Sequence, residues 1–272
     1  MLFNILIVIG VAVLSLALRA ISLPIFHRIG TIGIFITSFL LGWLICGSVW
    51  IGIFFASLWL FLPWLEILTR IRHLRLPLER RLQAMPPPTR NTFQSFEEIT
   101  SDVEAEEFEY IEDAGWKHEG YRHFFRIFYS KKHRSHAAIC LVEQDDMAFF
   151  YIFLTSIDKH NRRLTTWNYP FSYGLKLSPK ISFNRYPFDG PFGNILDSHL
   201  LFLLNHGYDP EDMQEQDQEK LKESIEYEMD THISHNIERG LLIREDKKFI
   251  RYTVRGWFFL WFEFLRDLVR LS

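Results

Sequence analysis

The chain opens with two long apolar runs that charged residues interrupt only briefly. Residues 2–18 hold one Asn and no charge, and residues 29–65 hold no charge over 37 positions. A helix that crosses a bilayer needs about 20 apolar residues, so both runs are candidates for membrane spans. No Lys or Arg precedes the first run, which argues against the alternative of a cleaved signal peptide. The pattern predicts an α-helical transmembrane anchor over residues 1–65.

The second run is too long for one straight span. A helix of 37 residues would be about 55 Å long, whereas the hydrocarbon core is about 30 Å thick. Either Gly47 and Ser48 turn the chain between two short spans, or one span ends near Trp50 and the rest lies along the interface. The anchor therefore has three spans in the first case and two in the second.

A basic segment follows the last apolar run, and a stiff spacer, Pro86 to Pro88, comes after it. The segment contains Arg70, Arg72, Arg75, Arg80 and Arg81. Basic residues beside a span stay in the cytoplasm, and we expect these five side chains to bind anionic headgroups. The sequence thus predicts a multi-pass protein of the cell inner (plasma) membrane with the bulk of the chain in the cytoplasm. Residues 66–92 form the juxtamembrane segment and linker of this prediction.

Beyond the linker, the hydrophobic pattern changes to that of a mixed α and β domain. Apolar and polar residues alternate over residues 121–129, and three further extended segments follow at 137–142, 148–157 and 163–167. Short polar connections make such strands antiparallel neighbours. We expect a meander of about four strands, with the third strand covered on both faces.

Three helices and one long loop complete this prediction. We expect helices at 96–113, 194–205 and 210–239, each followed by a glycine. Residues 168–193 contain four prolines and seven aromatic residues, which is typical of an ordered loop. That loop is either a recognition surface or a cover for the core. Residues 93–248 are thus predicted to form a cytoplasmic α+β domain.

The last segment, residues 249–272, has the pattern of an amphipathic helix. Trp257 and Trp261 fall on one side of the helix, and Arg266 and Arg270 fall on the other. This distribution is typical of a helix in a membrane interface. The alternative is that the apolar side packs onto the protein's own core or onto the N-terminal spans.

The charge distribution follows the same division of the chain. Residues 1–90 hold eight Arg and two Glu, whereas the remainder holds 22 basic and 31 acidic residues. A nucleic-acid-binding domain should be basic, so nucleic acid is excluded as a partner. With only two Cys, a disulfide scaffold is excluded as well.

Candidate chemistry is sparse. The sequence has no GxGxxG, GxxxxGK[ST], GxSxG, HExxH or CxxC motif, so we expect no cofactor and name no catalytic residue. The strongest cluster is Glu228, His232, His235 and Glu238, whose steps of four, three and three put them on neighbouring turns of one helix. A metal site on a helix needs such spacing, although His232 alternatively fits the core. Asp189, His199 and His206 would form an acid–base group only if the fold brought them together.

Three short segments resemble bacterial membrane-anchored proteins of unknown activity. These are RLTTWN at 163–168, IERGLLIRED at 237–246 and TVRG at 253–256. The resemblance implies a bacterial inner membrane and transfers no site residues.

The sequence predicts a non-catalytic binding or scaffold protein that presents its α+β domain at the membrane surface. Its expected partners are a bilayer with anionic headgroups and a protein, either another chain or a second copy. The alternatives are a membrane-bound enzyme that acts on a lipid or membrane-associated substrate, and a subunit of a larger membrane complex.

Overall fold

A computed structural model describes residues 2–21, 24–88, 93, 95–118, 120–144, 147–170, 174–186 and 190–270. Its helices are α1 (Leu2–Arg19), α2 (Pro24–Cys46), α3 (Val49–Thr69), α4 (Phe96–Ala105), α5 (Phe192–Asn205), α6 (Leu221–Glu238) and α7 (Val254–Arg270). Its strands are β1 (Leu76–Pro77), β2 (Gln83–Ala84), β3 (Glu109–His118), β4 (Tyr121–Ser130), β5 (Ser135–Gln144), β6 (Met147–Ile157), β7 (Arg163–Trp167), β8 (Ile181–Arg185), β9 (Leu242–Arg244) and β10 (Phe249–Tyr252). The protein is of the α+β class, as predicted.

The chain divides into two compact units. Residues 1–75 and 251–272 form one, which we call the helical unit, and residues 76–250 form the other, which we call the α+β unit. Residues 76–88 of the predicted linker thus belong to the α+β unit, and α7 belongs to the helical unit. Within the helical unit, Ile29–Cys46 and Val49–His73 are long and apolar enough to cross a membrane, and Asn4–Arg19 is a shorter apolar helix.

A tight turn separates α2 from α3. Gly47 has a φ of +65°, in the left-handed region that glycine adopts without strain, and its N–H donates to the Trp43 carbonyl over 2.7 Å. The indole of Trp59 on α3 donates to the Ser38 hydroxyl on α2 over 2.9 Å. The 29–65 run therefore consists of two helices that turn at Gly47 and Ser48, as in the first of the two predicted arrangements.

Glycines let the first three helices approach closely. A Cβ on Gly33 of α2 would overlap the Ser15 hydroxyl of α1, and one on Gly42 would lie 2.8 Å from the Ile51 carbonyl oxygen of α3. Small residues at such crossings allow helix backbones to pack against each other.

The C-terminal helix α7 packs onto α3 within the helical unit. The Trp64 ring lies 5.1 Å from the Phe258 ring, and the Trp261 indole donates to the Leu60 carbonyl over 2.7 Å. The buried face of α7 consists of Gly256, Leu260, Glu263 and Asp267, whereas Phe258 and Phe262 are exposed. Packing onto an N-terminal helix was one of the two predicted alternatives for this segment.

The α+β unit is built on a seven-stranded sheet of order β2-β3-β4-β5-β6-β7-β8. Neighbours from β2 to β7 are antiparallel, and β8 joins β7 in parallel. The predicted meander corresponds to β4–β7, which β2, β3 and β8 extend. Because residues of a strand alternate between faces, Leu154 of β6 packs in the core beneath α4 and α5, while Phe153 packs in the core beneath α6. A second sheet has the order β1-β10-β9.

Two predicted helices and the predicted loop differ from the structure. The helix predicted over 96–113 is wrong beyond Ala105, because Glu107 takes a φ of +62° and the following residues pair with β4 as β3. The helix predicted from residue 210 begins at Leu221, after two 3-10 turns. Five proline-free residues of the predicted loop form β8. Residues 171–173 and 187–189 of that loop lie outside the described residues.

Candidate functional site

A cavity of about 80 Å³ lies between α6 and one face of the seven-stranded sheet. Its walls come from alternate residues of the strands and from one side of α6, as the periods of strand and helix require. The strands and their connections contribute His123, Phe125, Tyr151, Phe153, Thr165, Trp167, Tyr169 and Phe183, α6 contributes Ile225, Glu228, Met229 and His232, and Arg80 completes the lining.

Six of the thirteen lining residues are Phe, Tyr or Trp, and four of these rings are in contact with one another. Tyr151 and Tyr169 meet edge to face, with ring centroids 4.9 Å apart. Trp167 lies 5.5 Å from Tyr169 and 4.8 Å from Phe183. Such contacts hold the rings in fixed positions, so the cavity is preformed.

The carboxylate of Glu228 is the acidic group of the cavity. Its side chain is only 12% exposed, and its Oε1 lies 4.0 Å from Nε of Arg163, too far for a hydrogen bond. Among the described residues, no group donates a hydrogen bond to this oxygen. Burial raises the pKa of Glu228 to about 7, although Arg163 and the Thr155 hydroxyl act to lower it.

The Arg163 guanidinium has other partners besides Glu228. Its Nη1 donates to the Ser224 hydroxyl over 3.1 Å, and its guanidinium carbon lies 4.7 Å above the Tyr227 ring. Both partners project from α6, as Glu228 does. The pair is therefore a stretched one, in which Nε of Arg163 and Oε1 of Glu228 are both buried without a hydrogen-bond partner among the described residues.

The two histidines of the cavity are neutral at pH 7. Burial, followed by the charges of His235 and Arg80, lowers the pKa of His232 to about 4, and its Nδ1 accepts a hydrogen bond from the Ser178 N–H over 3.1 Å. Burial and the charge of Arg80 lower the pKa of His123 to about 3. The ionisable groups that can carry charge are thus Glu228 and Arg80 in the lining, together with Arg163 beside Glu228.

The structure separates the four candidate metal ligands. Glu228 and His232 line the cavity, whereas His235 and Glu238 line an open groove beside Lys180. Within the described ranges, no three His, Cys, Asp or Glu side chains are grouped so as to hold a metal ion.

The acid–base candidates do not meet either. His199 is buried between the Ser156 and Thr166 hydroxyls, at 3.1 and 2.9 Å. His206 is exposed at the end of α5, with Nδ1 2.9 Å from the Phe202 carbonyl. Asp189 lies outside the described residues.

Several candidate lipid-binding side chains have protein partners. Arg81 pairs with Glu226 at 3.1 Å and with Asp230 at 3.4 Å, and Arg80 lies 5.4 Å above the Trp116 ring. Arg70 pairs with Glu66 and Arg266 pairs with Glu263, whereas Arg72 and Arg75 are exposed. Trp257 and Trp261 are half-buried, and the Arg270 side chain lies outside the described residues.

The sequence indicated Glu228 and His232 as neighbours but did not indicate the cavity. The aromatic walls of the cavity come from separate strands. The one sequence signal for them is that residues of a strand alternate between the two faces of a sheet, which is compatible with Phe125, Phe153 and Trp167 sharing a face. Comparisons with protein-family models, curated proteins and solved structures find no match.

Proposed function

We propose that this chain is a multi-pass protein of the inner (plasma) membrane, in which α1, α2 and α3 cross the bilayer. The observation that carries the proposal is the apolar surface of these helices. Their exposed side chains include Leu6, Ile9, Leu14, Leu16, Ile32, Ile36, Leu41, Ile45, Phe54, Phe61 and Leu65. In water such a surface is unfavourable, whereas hydrocarbon accepts both the side chains and a helix whose backbone bonds are internal.

The arginines support a direction for the three spans. Arg19 ends α1, and Arg70, Arg72 and Arg75 follow α3, so three crossings put all four on one side. The positive-inside rule makes this side the cytoplasm and assigns the α+β unit to it. The turn at Gly47 is then on the outer side.

We further propose that the α+β unit binds a ligand without catalysis. The hydrophobic and aromatic walls with a few polar groups are those of a small-molecule site, although the volume of about 80 Å³ is below the roughly 300–1,000 Å³ that is usual for such sites. Glu228 supports this role because a buried carboxylate without a close partner destabilises a fold, and such groups occur at functional sites.

Cys46 tests the topology directly. It is exposed at the end of α2, whereas Cys140 is buried in the sheet, so one thiol of the native chain is open to reagent. We expect a membrane-impermeant maleimide to label Cys46 on intact cells that express the full chain.

The matched control replaces Cys46 by Ser and puts a thiol at Ser101, an exposed residue of α4. This variant should be labelled only after the membrane is permeabilised. Labelling of Cys46 that itself requires permeabilisation would contradict the three-span topology and favour two spans.

A membrane-bound enzyme is the alternative function, and one observation favours it: the pKa of Glu228 near 7 suits a general acid or base. Mass spectrometry of the ligand separates the two roles. A ligand recovered unchanged after incubation with the full chain supports binding, whereas conversion that the Glu228→Gln variant lacks supports catalysis. Co-purification of a second chain in mild detergent would support a subunit role.

A further inference from the structure

An open groove of about 640 Å³ lies along α6, from the middle of the helix to its end, and no described residue lines both this groove and the cavity. Its volume is within the roughly 300–1,000 Å³ that is usual for small-molecule sites. We propose that the groove binds a phosphate group, of a soluble molecule or of a lipid headgroup, with Lys180 and Arg239 as the cations that contact it. The inference does not depend on the cavity, and only the lipid source of the phosphate depends on the membrane topology.

One wall of the groove is a segment that two buried residues of α6 hold in place. The Asn236 amide accepts from the Lys176 N–H over 2.9 Å and donates to the Lys176 carbonyl over 2.8 Å. Nδ1 of the buried His232 accepts from the Ser178 N–H over 3.1 Å. Because these hydrogen bonds fix the backbone of the segment against α6, Lys180 is presented to the groove by a preorganised wall.

Three exposed cations at this end of the groove have no carboxylate partner. Within the described part of the chain, the side chains of Lys176, Lys180 and Arg239 form no ion pair and no hydrogen bond. Their charges all act on the His235 imidazole, which lines the groove beside them: burial lowers the pKa of His235, Arg239 lowers it next, and Lys176 and Lys180 add to the effect. The groove therefore has a local excess of positive charge that attracts an anion.

Two acidic residues also line the groove and oppose an anion. Asp230 pairs with Arg81 at 3.4 Å, so its charge is balanced within the protein. Glu238 raises the pKa of His235, but Arg239 has the larger effect in the opposite direction. Three cations thus act against one unbalanced carboxylate.

The position of these cations at the end of α6 has a simpler explanation, which the backbone hydrogen bonds do not favour. Cations are common near the C-terminus of a helix, where they offset the helix dipole and the unpaired carbonyls. Here the carbonyls of residues 235–237 accept from the N–H groups of residues 239–241. The backbone itself therefore caps the helix, and the side chains of Lys180 and Arg239 are available to a ligand.

Hydroxyl groups beside the cations favour a phosphate over other anions. Oγ of Ser178 accepts from the Lys180 N–H over 3.3 Å, which leaves its O–H to donate to a ligand, and the Ser234 hydroxyl lines the groove from α6. A phosphate has several oxygens that can accept from such donors and from Lys and Arg at the same time. From Arg239 back to Tyr227 the helix rises about 18 Å, so the groove also has room for the organic part of the ligand.

The experiment measures how fast the Lys180 ammonium is acetylated in the purified full chain, since a bound phosphate shields it from the reagent. Glycerol 3-phosphate is the probe, glycerol is its counterpart without the phosphate, and sodium acetate at equal ionic strength controls for the screening of exposed charges. Mass spectrometry reports each lysine separately. We expect glycerol 3-phosphate to cause a saturable loss of acetylation at Lys180, with no change at the exposed Lys159 outside the groove. Glycerol and acetate should change neither lysine.

The same measurement in bilayer discs identifies the source of the phosphate. The full chain is reconstituted in phosphatidylcholine alone and in phosphatidylcholine mixed with the anionic phosphatidylglycerol. Loss of Lys180 acetylation in the mixed discs without any added probe identifies a lipid headgroup. Loss that appears only when glycerol 3-phosphate is added identifies a soluble ligand, and either result supports the phosphate site.

Three variants of exposed residues, which we expect to fold, test the charges of the groove. Arg239→Gln should weaken glycerol 3-phosphate about fivefold, the factor that one cation contributes at an anionic surface. Glu238→Gln removes the opposing carboxylate and should strengthen binding, which loss of a merely structural group would not do. Lys131→Gln, outside the groove, is the control and should leave the affinity unchanged.

Four outcomes would overturn the inference: acetylation of Lys180 that neither glycerol 3-phosphate nor the anionic lipid slows, equal shielding by glycerol and glycerol 3-phosphate, unchanged affinity in Arg239→Gln, or weaker binding in Glu238→Gln. Each of these outcomes would remove the phosphate site while leaving the proposed topology and the cavity in place. The labelling of Cys46 and the ligand experiment with Glu228→Gln test those two proposals separately.

Discussion

At the scale of single residues, Glu228 and Asp158 show how surroundings decide what a buried carboxylate does to stability. Glu228 has a buried oxygen without a hydrogen-bond donor among the described residues, and its pKa is about 7. Asp158 is buried as well, but it accepts hydrogen bonds from the His160 and Arg162 N–H groups, the Arg162 side chain and the Tyr208 hydroxyl, at 2.6–2.8 Å. The first carboxylate opposes folding at neutral pH, and the second supports it.

For Glu228, the first prediction is that Glu228→Gln stabilises the protein at pH 8. The ordinary pKa is 4.5, so between pH 4.5 and 7 the folded state binds more protons than the unfolded state, and stability falls as pH rises through this window. Gln removes that loss, which amounts to at most about 3 kcal/mol. Urea unfolding of both chains at pH 4.5 and pH 8 measures it. A difference that does not grow with pH would contradict the assigned pKa.

For Asp158, the second prediction is that Asp158→Asn destabilises the protein by about 2 kcal/mol at pH 7. Burial opposes ionisation, but the hydrogen bonds outweigh it and hold the pKa at about 2, below the ordinary 3.8. The stabilisation is therefore complete above pH 3.8 and is lost as pH falls towards 2. Thermal unfolding at several pH values measures it. The exposed Asp212, replaced by Asn, is the control and should change little.

At the scale of elements, the clearest contact to test is that between α3 and α7. A chain with Ser at Cys46 and with Cys at Trp64 and Phe258 should be cross-linked by a short bismaleimide, because the two side chains are in contact, with ring centroids 5.1 Å apart. Cys at the exposed Phe262 in place of Phe258 is the control and should not cross-link to position 64. Absence of the Trp64–Phe258 cross-link on gels would show that α7 leaves α3 in the membrane.

Elements with a strong local period were predictable, and elements that depend on distant partners were not. The alternation of residues 121–129 identified β4. Residues 109–113 include three acidic residues and continue the acidic pattern of α4, so only their pairing with β4 shows that they form a strand. β8 could not be foreseen, because a parallel edge strand between two prolines has no sequence period of its own.

The candidate site was predictable only in part for a similar geometric reason. At 100° per residue, His232 lies about 40° from Glu228 around α6, so both reach the cavity. Glu238 lies about 120° from His232 and faces the groove instead. Side chains at steps of four, three and three along a helix therefore point in more widely separated directions than a single metal site requires. The aromatic walls of the cavity could not be predicted from the sequence, because they come from strands that only the fold brings together.

At the scale of the whole molecule, the boundary of the α+β unit leads to a further prediction. Leu82 and Met85 are buried in its core, and the Leu82 N–H donates to Glu226 over 2.6 Å. A fragment of residues 76–250 should fold, whereas one of residues 93–250 should lose several kcal/mol or fail to fold, since it lacks both side chains. Circular dichroism melting of the two fragments measures this. Equal melting temperatures would mean that residues 76–92 are only a linker.

The position of α7 in the helical unit has a consequence for how the protein is made. A ribosome that adds about 5–20 residues per second reaches Val254 roughly 10–40 s after it has finished Thr69. During this interval the first three helices are already complete, while the Leu60 carbonyl and the Trp64 ring lack the residues that contact them in the finished protein. In the proposed topology, the helical unit is therefore completed only after its first three helices have inserted: a nascent chain stalled before α7 leaves α3 without the residues that contact it in the finished protein.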